Sequence, residues 1–154
     1  MKMLKYVIGI ALFLIAFSCA KNKTAESEAD LTQQEIDSLT DPDKGIGAVN
    51  EVILNTPLEA DRVDRGQSIF KTRCNACHTL DDQRLVGPGW KDITHRRKPE
   101  WIMNMITNVD VMLENDEQAQ ELLETCGTRM TVAVLSISEA RDVLEFMRHN
   151  DGEK

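Results

Sequence analysis

The sequence lacks a long apolar run, sustained strand alternation, an internal repeat and an excess of base, and each absence excludes a class. Its longest apolar run, Tyr6 to Phe17, has 12 residues, well short of the roughly 20 that cross a bilayer as a helix. No segment alternates apolar and polar residues over strand length, which argues against a sheet-built core. No repeat marks a solenoid or an array. Lys and Arg number 18 against 26 Asp and Glu, a balance that argues against nucleic acid as a partner. Cysteine is scarce too: Cys19, Cys74, Cys77 and Cys126 do not form the pattern of a disulfide framework.

The first residues set the compartment. Lys2 and Lys5 precede the apolar run, and Ser18-Cys19-Ala20 follows it. A positive start, a short apolar stretch and small residues make the pattern of an export signal, residues 1–18. Ala16-Phe17-Ser18-Cys19 resembles a bacterial lipobox, although Ala16 stands where Leu is usual. Cys19 is therefore the expected lipidation site, which would anchor the protein without spanning the membrane. Ordinary cleavage nearby, or an uncleaved N-terminal anchor, is the alternative. Loss of residues 1–18 leaves 16 bases against 26 acids, a net charge of −10. The expected setting is the periplasm, on the membrane.

Residues 19–58 read as a tether and N-terminal extension, polar and acidic up to about Leu39. Asp41-Pro42-Asp43-Lys44-Gly45 is turn chemistry, and the more apolar Ala48 to Leu54 is expected to lie against the domain. The domain itself is expected at residues 59–154 and all-α. Val63, Gly66, Phe70 and Cys74 fall at helical spacing, giving a helix from about Asp61 to Cys74. Arg84 to Ile93, with Gly87-Pro88-Gly89, reads as loop. Pro99-Glu100 starts a second helix ending near Asn108. Asn115 is the expected cap of a third, with Gly127 after Cys126 as its stop. Ser136 and Glu139 make a capping box for a last helix running to about Asn150. About 95 residues with several loops make a thin core, so the domain looks built around a body that it does not itself supply.

Cys74-Asn75-Ala76-Cys77-His78 is a Cys-x-x-Cys-His motif, the attachment signature of haem c. At the end of a helix these positions share one face. Two thiols can then bond the two vinyl groups while the next imidazole serves the iron. A thioredoxin-type site would need a βαβ context. A zinc site would need further ligands, with Cys126 or His95 the only candidates of the usual kind. Export and the helical pattern favour one covalent haem c. His78 takes one axial position, and an electron carrier wants the other filled as well, a thioether there raising the potential. The candidates are Met103, Met105, Met112, Met130, Met147, His95 and His149. Met103, Met105 and Met147 lie within helices, where packing is the ordinary role. Met130 lies in an irregular stretch between the third and last helices, where a ligand has freedom to swing, and is favoured.

Together these features resemble the class I cytochrome c family over about residues 60–150. Gly66-x-x-x-Phe70-x-x-x-Cys74 is similar to its N-terminal helix, whose glycine permits a close crossing by the C-terminal helix, here carrying Leu144, Phe146 and Met147. Gly87-Pro88 is similar to the loop whose proline carbonyl accepts the Nδ1 proton of the haem histidine. The resemblance implies that Pro88 orients His78 and that Met130 is the distal ligand. Many relatives have Pro beside that methionine, whereas Arg129 and Thr131 flank it here. Lys44-Gly45-Ile46-Gly47, Thr94-His95-Arg96-Arg97 and Pro99 to Ile106 also resemble small lipoprotein cytochromes of Bacteroidetes-type bacteria, some of them associated with nitrous oxide reductase. What the resemblance implies is a monomeric carrier of single electrons, not an enzyme, with redox proteins as donor and acceptor. A haem subunit docked permanently in a respiratory complex is the alternative, and a sensor or enzyme with an open distal site a more distant one.

Charge is unevenly placed. Arg62 to Lys98 holds nine bases and four acids, whereas Pro99 to Thr128 holds seven acids and no base. Such a domain would be dipolar if the haem edge lay between the two. Arg96, Arg97, Trp90 and Trp101 are candidate donors to the haem propionates. Cys126 reads as a small buried apolar residue.

Overall fold

The computed structural model describes residues 41–131 and 135–154, so the signal segment 1–18, Cys19 and the tether as far as residue 40 lie outside the described residues. The described part is helical, with one isolated antiparallel bridge, between His78 and Arg84, and no strand. A short 3-10 turn, Pro42–Lys44, is followed by α1 (Ala60–Ile69), α2 (Ile93–Arg96), α3 (Pro99–Thr107), α4 (Val109–Asn115), α5 (Glu117–Cys126) and α6 (Ile137–Asn150).

The pairing that organises the domain is α1 against α6. Gly66 is buried on α1, and a Cβ there would lie 2.1 Å from the Asp142 carbonyl oxygen. Only a residue without a side chain lets the two backbones approach so closely. On α6, Ala140, Val143, Leu144, Phe146 and Met147 are buried; a large apolar side chain in such a site contributes about 1.5–3 kcal/mol. Ser136 and Glu139 form the expected capping box at its start. Phe70 stands at the centre, 4.9 Å from the Trp90 ring and 5.7 Å from Phe146, centroid to centroid, both pairs tilted.

Helix α1 does not run unbroken to Cys74. It passes at Phe70 into a wider π-type turn, Phe70–Cys74, closed by Asn75 N–H donating to the Phe70 carbonyl at 3.0 Å. Two short helices, α2 and α4, were not anticipated, since four and seven residues are too few for a period of 3.6 to declare itself. The cap expected at Asn115 falls one residue later. Asp116 is the residue whose carboxylate accepts from Ala119 N–H at 2.8 Å, while Asn115 ends α4. Gly127 stops α5 in the left-handed region, φ 63°.

Residues 41–58 form a strap over α3. Asn104, almost fully buried, accepts from Val49 N–H at 3.0 Å and donates to the Val49 and Lys44 carbonyls at 2.9 and 3.1 Å. Glu100 accepts from Val52 N–H, and Val49 joins the core. The stretch Ala48 to Leu54 thus lies on the domain as its composition leads one to expect. Ile53 and Leu54 nevertheless remain exposed.

Candidate haem site

An apolar cavity of about 1310 Å³, measured with its open mouth, lies between the Phe70–Cys74 turn, α3, α5 and α6. Cys74, Cys77 and His78 line it together with Gly87 and Pro88. Trp101, Ile102, Met105 and Ile106 enter from α3, Leu122, Leu123 and Cys126 from α5, and Val143 and Met147 from α6. Met130 lines it from the segment between α5 and α6. A thin-cored domain with an apolar hollow of this size suits a large flat apolar body with polar groups at its edge.

The motif folds as helix-like turns. Cys77 N–H and His78 N–H both donate to the Cys74 carbonyl at 3.0 Å. This keeps the two cysteines and the histidine on one side, as their spacing requires. Burial pushes the Cys74 thiol up to about 11, with Arg73 opposing the rise. A thiol so placed is protonated at neutral pH and unsuited to thioredoxin-type exchange, whose attacking cysteine needs a lowered pKa. No cluster of metal-ligating side chains of the His, Cys and carboxylate kind occurs among the described residues, so nothing supports the zinc alternative.

His78 is held from behind. Its Nδ1 lies 2.8 Å from the Pro88 carbonyl oxygen. A carbonyl only accepts, so Nδ1 carries the proton and Nε2 is left unprotonated, with its lone pair free. Burial lowers the His78 pKa, against the opposing pull of the Pro88 bond, and favours the neutral imidazole that metals bind. The loop that brings Pro88 here is itself tied to the motif, with Val86 and Gly87 N–H donating to the Cys77 carbonyl at 3.2 and 2.8 Å. At Gly87 a Cβ would meet His78 Cε1 at 2.4 Å, so only glycine lets the loop lie against the ring. Trp90 also packs against the ring, its centroid 5.6 Å from that of His78.

Of the seven candidates for the second axial position, three methionines line the cavity: Met105, Met130 and Met147. Met112 is fully buried elsewhere, its Sδ 3.1 Å from Ile46 N under the strap. His95 and His149 are exposed. Met105 and Met147 are fixed on helices within the core cluster, whereas Met130 is only partly buried. Cys126 is half-buried at the wall of the cavity and of a smaller groove beside it, rather than sunk in the core.

Of the four propionate candidates, Trp90 and Trp101 line the cavity, and Trp101, Arg96 and Arg97 have other partners. Trp101 donates through Nε1 to Asp116 Oδ1 at 3.1 Å, and Arg97 stacks on the Trp101 ring at 5.0 Å. Arg96 donates to the Gly89 and Lys91 carbonyls. Arg73 and Arg129 also line the cavity, paired with Glu139 and Asp110 respectively. Sequence reasoning passed over both, and their only signal was their place beside the motif and beside Met130.

Comparison with curated proteins gives no significant match. A family model for cytochrome c matches residues 63–151. Among solved structures, the chain is similar to a cytochrome c from Rhodothermus marinus at 37% identity, with a TM-score of 0.68 over 72% of this chain and 97% of that one. It is also similar to an engineered Rhodothermus marinus cytochrome c bound to a carbene intermediate, at 34% identity and a TM-score of 0.65, covering 72% and 98%. With the helix order, the motif and the cavity in agreement, the chain belongs to the cytochrome c family and is an electron-transfer protein with a covalently bound haem c.

Proposed function

We propose that the protein is an exported carrier of single electrons, anchored by lipid at Cys19, with Cys74 and Cys77 bonded to the haem and His78 and Met130 as axial ligands. The observation that carries this reading is that all four side chains line one apolar cavity. When bound, haem c supplies a one-electron couple whose potential follows its ligands and its exposure. Pro88 holds the His78 ring in the tautomer that offers Nε2, and Gly87 and Trp90 limit its rotation. Met130 offers a sulfur from a segment outside the helices, which raises the potential and closes the site to substrates. The apolar side chains of α3, α5 and α6 keep water away, so the charge change on electron transfer meets little reorganisation.

Donor and acceptor in this reading are redox proteins of the periplasm or membrane, with nitrous oxide reductase the acceptor suggested by the strap and α3 motifs. The protein acts as a monomer and is not itself an enzyme. The optical spectrum of the purified protein, taken with and without carbon monoxide, tests the reading. A low-spin form unresponsive to carbon monoxide is expected; a high-spin ferric form would overturn it in favour of an open distal site.

A further inference from the structure

The strap lies on α3, and α3 is also a wall of the haem cavity. Asn104 binds the strap through three hydrogen bonds, the two to Val49 buried and the one to Lys44 partly so, while Trp101, Ile102, Met105 and Ile106 on the same helix line the cavity. Two glycines make the fit close. A Cβ at Gly47 would lie 2.3 Å from Asn104 Oδ1, and one at Gly45 would lie 2.7 Å from Met112 Cε and 3.0 Å from Trp101 Cδ1. Gly45 also has φ +69°, so the turn there needs glycine on conformational grounds as well.

Trp101 therefore touches three parts at once. One edge meets the strap, its ring borders the cavity, and its Nε1 donates to Asp116 Oδ1. The same oxygen caps α5 through Ala119 N–H, and α5 carries Leu122, Leu123 and Cys126 into the cavity wall. A shift of the strap would be passed to α3 and α5 together, because close-packed elements transmit displacement rather than absorb it.

We propose that the strap is a working part of the haem pocket, with Asn104 as a positioning residue that holds the cavity faces of α3 and α5 in place and so sets how far the haem is shielded from water. This rests on the reading of the cavity as the haem site. Shielding disfavours the more highly charged oxidised state and so raises the reduction potential. A loosened strap lowers it.

The test compares reduction potentials of the haem-loaded full chain with those of Asn104→Ala and Gly47→Ala. Val63→Ala, on α1 and away from the cavity lining, serves as a control that loosens packing elsewhere in the fold. None of the three changes alters charge. In Asn104→Ala and Gly47→Ala the ratio of oxidised to reduced protein at a fixed poise should rise about tenfold, equivalent to a potential lower by about 59 mV for one electron. Val63→Ala should match the unaltered chain. A merely structural role would lower the melting temperature of all three and leave their potentials alone, which would overturn the proposal. So would a fall in Val63→Ala as large as in the strap variants. If Asn104→Ala does not fold, Gly47→Ala decides by the same criterion. Haem found attached elsewhere than at Cys74 and Cys77 would instead overturn the site reading, and the strap proposal with it.

Discussion

A methyl group at position 87 has nowhere to go. The nearest atoms are the Cε1, Nδ1 and Nε2 of His78, at 2.4, 2.8 and 2.9 Å from where it would stand, and the ring is already held by Pro88 and flanked by Trp90. Gly87→Ala should displace the imidazole or the loop and cost about 1–3 kcal/mol, the range for overpacking a tight site. The measurable outcome is less haem bound per chain and a lower melting temperature. A variant with full haem content and an unchanged melt would contradict the contact. At this scale the motif spacing pointed straight to Cys74, Cys77 and His78, since short-range geometry governs them. The fate of Met112 was not legible. What holds it is Ile46, 66 positions away in the chain, and no local pattern records such a pairing. Trp101 was hidden for a related reason: its partner Asp116 is the cap of α5, 15 positions away.

Among the elements, the α1–α6 pair was the most readable, because Gly66, the capping box and the apolar stripe of α6 all act within a few turns. What the sequence did not reveal is that this pair also carries an ion network with two buried carboxylates. Arg65 and Arg62 bind Asp142 at 2.7 and 2.8 Å. Glu145, fully buried, pairs with Arg141 and Arg148 and accepts from Glu59 N–H. Along α6, Asp142 and Glu145 adjoin the apolar stripe, and such positions read as solvent-facing until their partners are known: Arg62 and Arg65 of α1 for the first, Arg141, Arg148 and Glu59 N–H for the second. Burial opposes the charge of Asp142, but Arg65 and Arg62 outweigh it and hold the carboxyl below its ordinary range. A carboxylate lowered in the folded state stabilises fully above its unfolded pKa and loses that contribution as pH falls through the folded value. Asp142→Asn should therefore cost about 1–2 kcal/mol at pH 7, between the values for exposed and buried pairs. The difference should narrow below about pH 4, near the unfolded carboxylate value. Urea melts of both proteins from pH 7 to pH 3 measure this, and a gap that stays constant would contradict the ion-pair account.

For the molecule as a whole, counting charges along the chain overstates its polarity. Of the bases between Arg62 and Lys98, Arg62, Arg65, Arg73 and Lys98 are paired with acids and Arg97 stacks on Trp101. Among the acids that follow, Glu100 and Asp116 are buried acceptors. Near the cavity, Arg84, Lys91 and Arg96 share the smaller groove with Asp82 and Asp92, so the field there is mixed. Pairing in three dimensions, not composition, decides which charges a partner meets. The proposed anchor at Cys19 also belongs to the scale of the whole chain. On detergent phase separation of membranes, the proposed lipidation predicts that the unaltered protein enters the detergent-rich phase and Cys19→Ser the aqueous one. Equal partitioning of the two would refute lipidation at Cys19.

The account turns on both axial positions being filled by this chain's own side chains. Comparing the near-infrared spectrum of the oxidised protein with that of Met130→Ala tests it most directly. The unaltered protein should show the weak sulfur-to-iron band, and the variant should lose it and become high-spin or open to carbon monoxide. A band that persists in Met130→Ala, or is absent from the unaltered protein, would contradict the assignment.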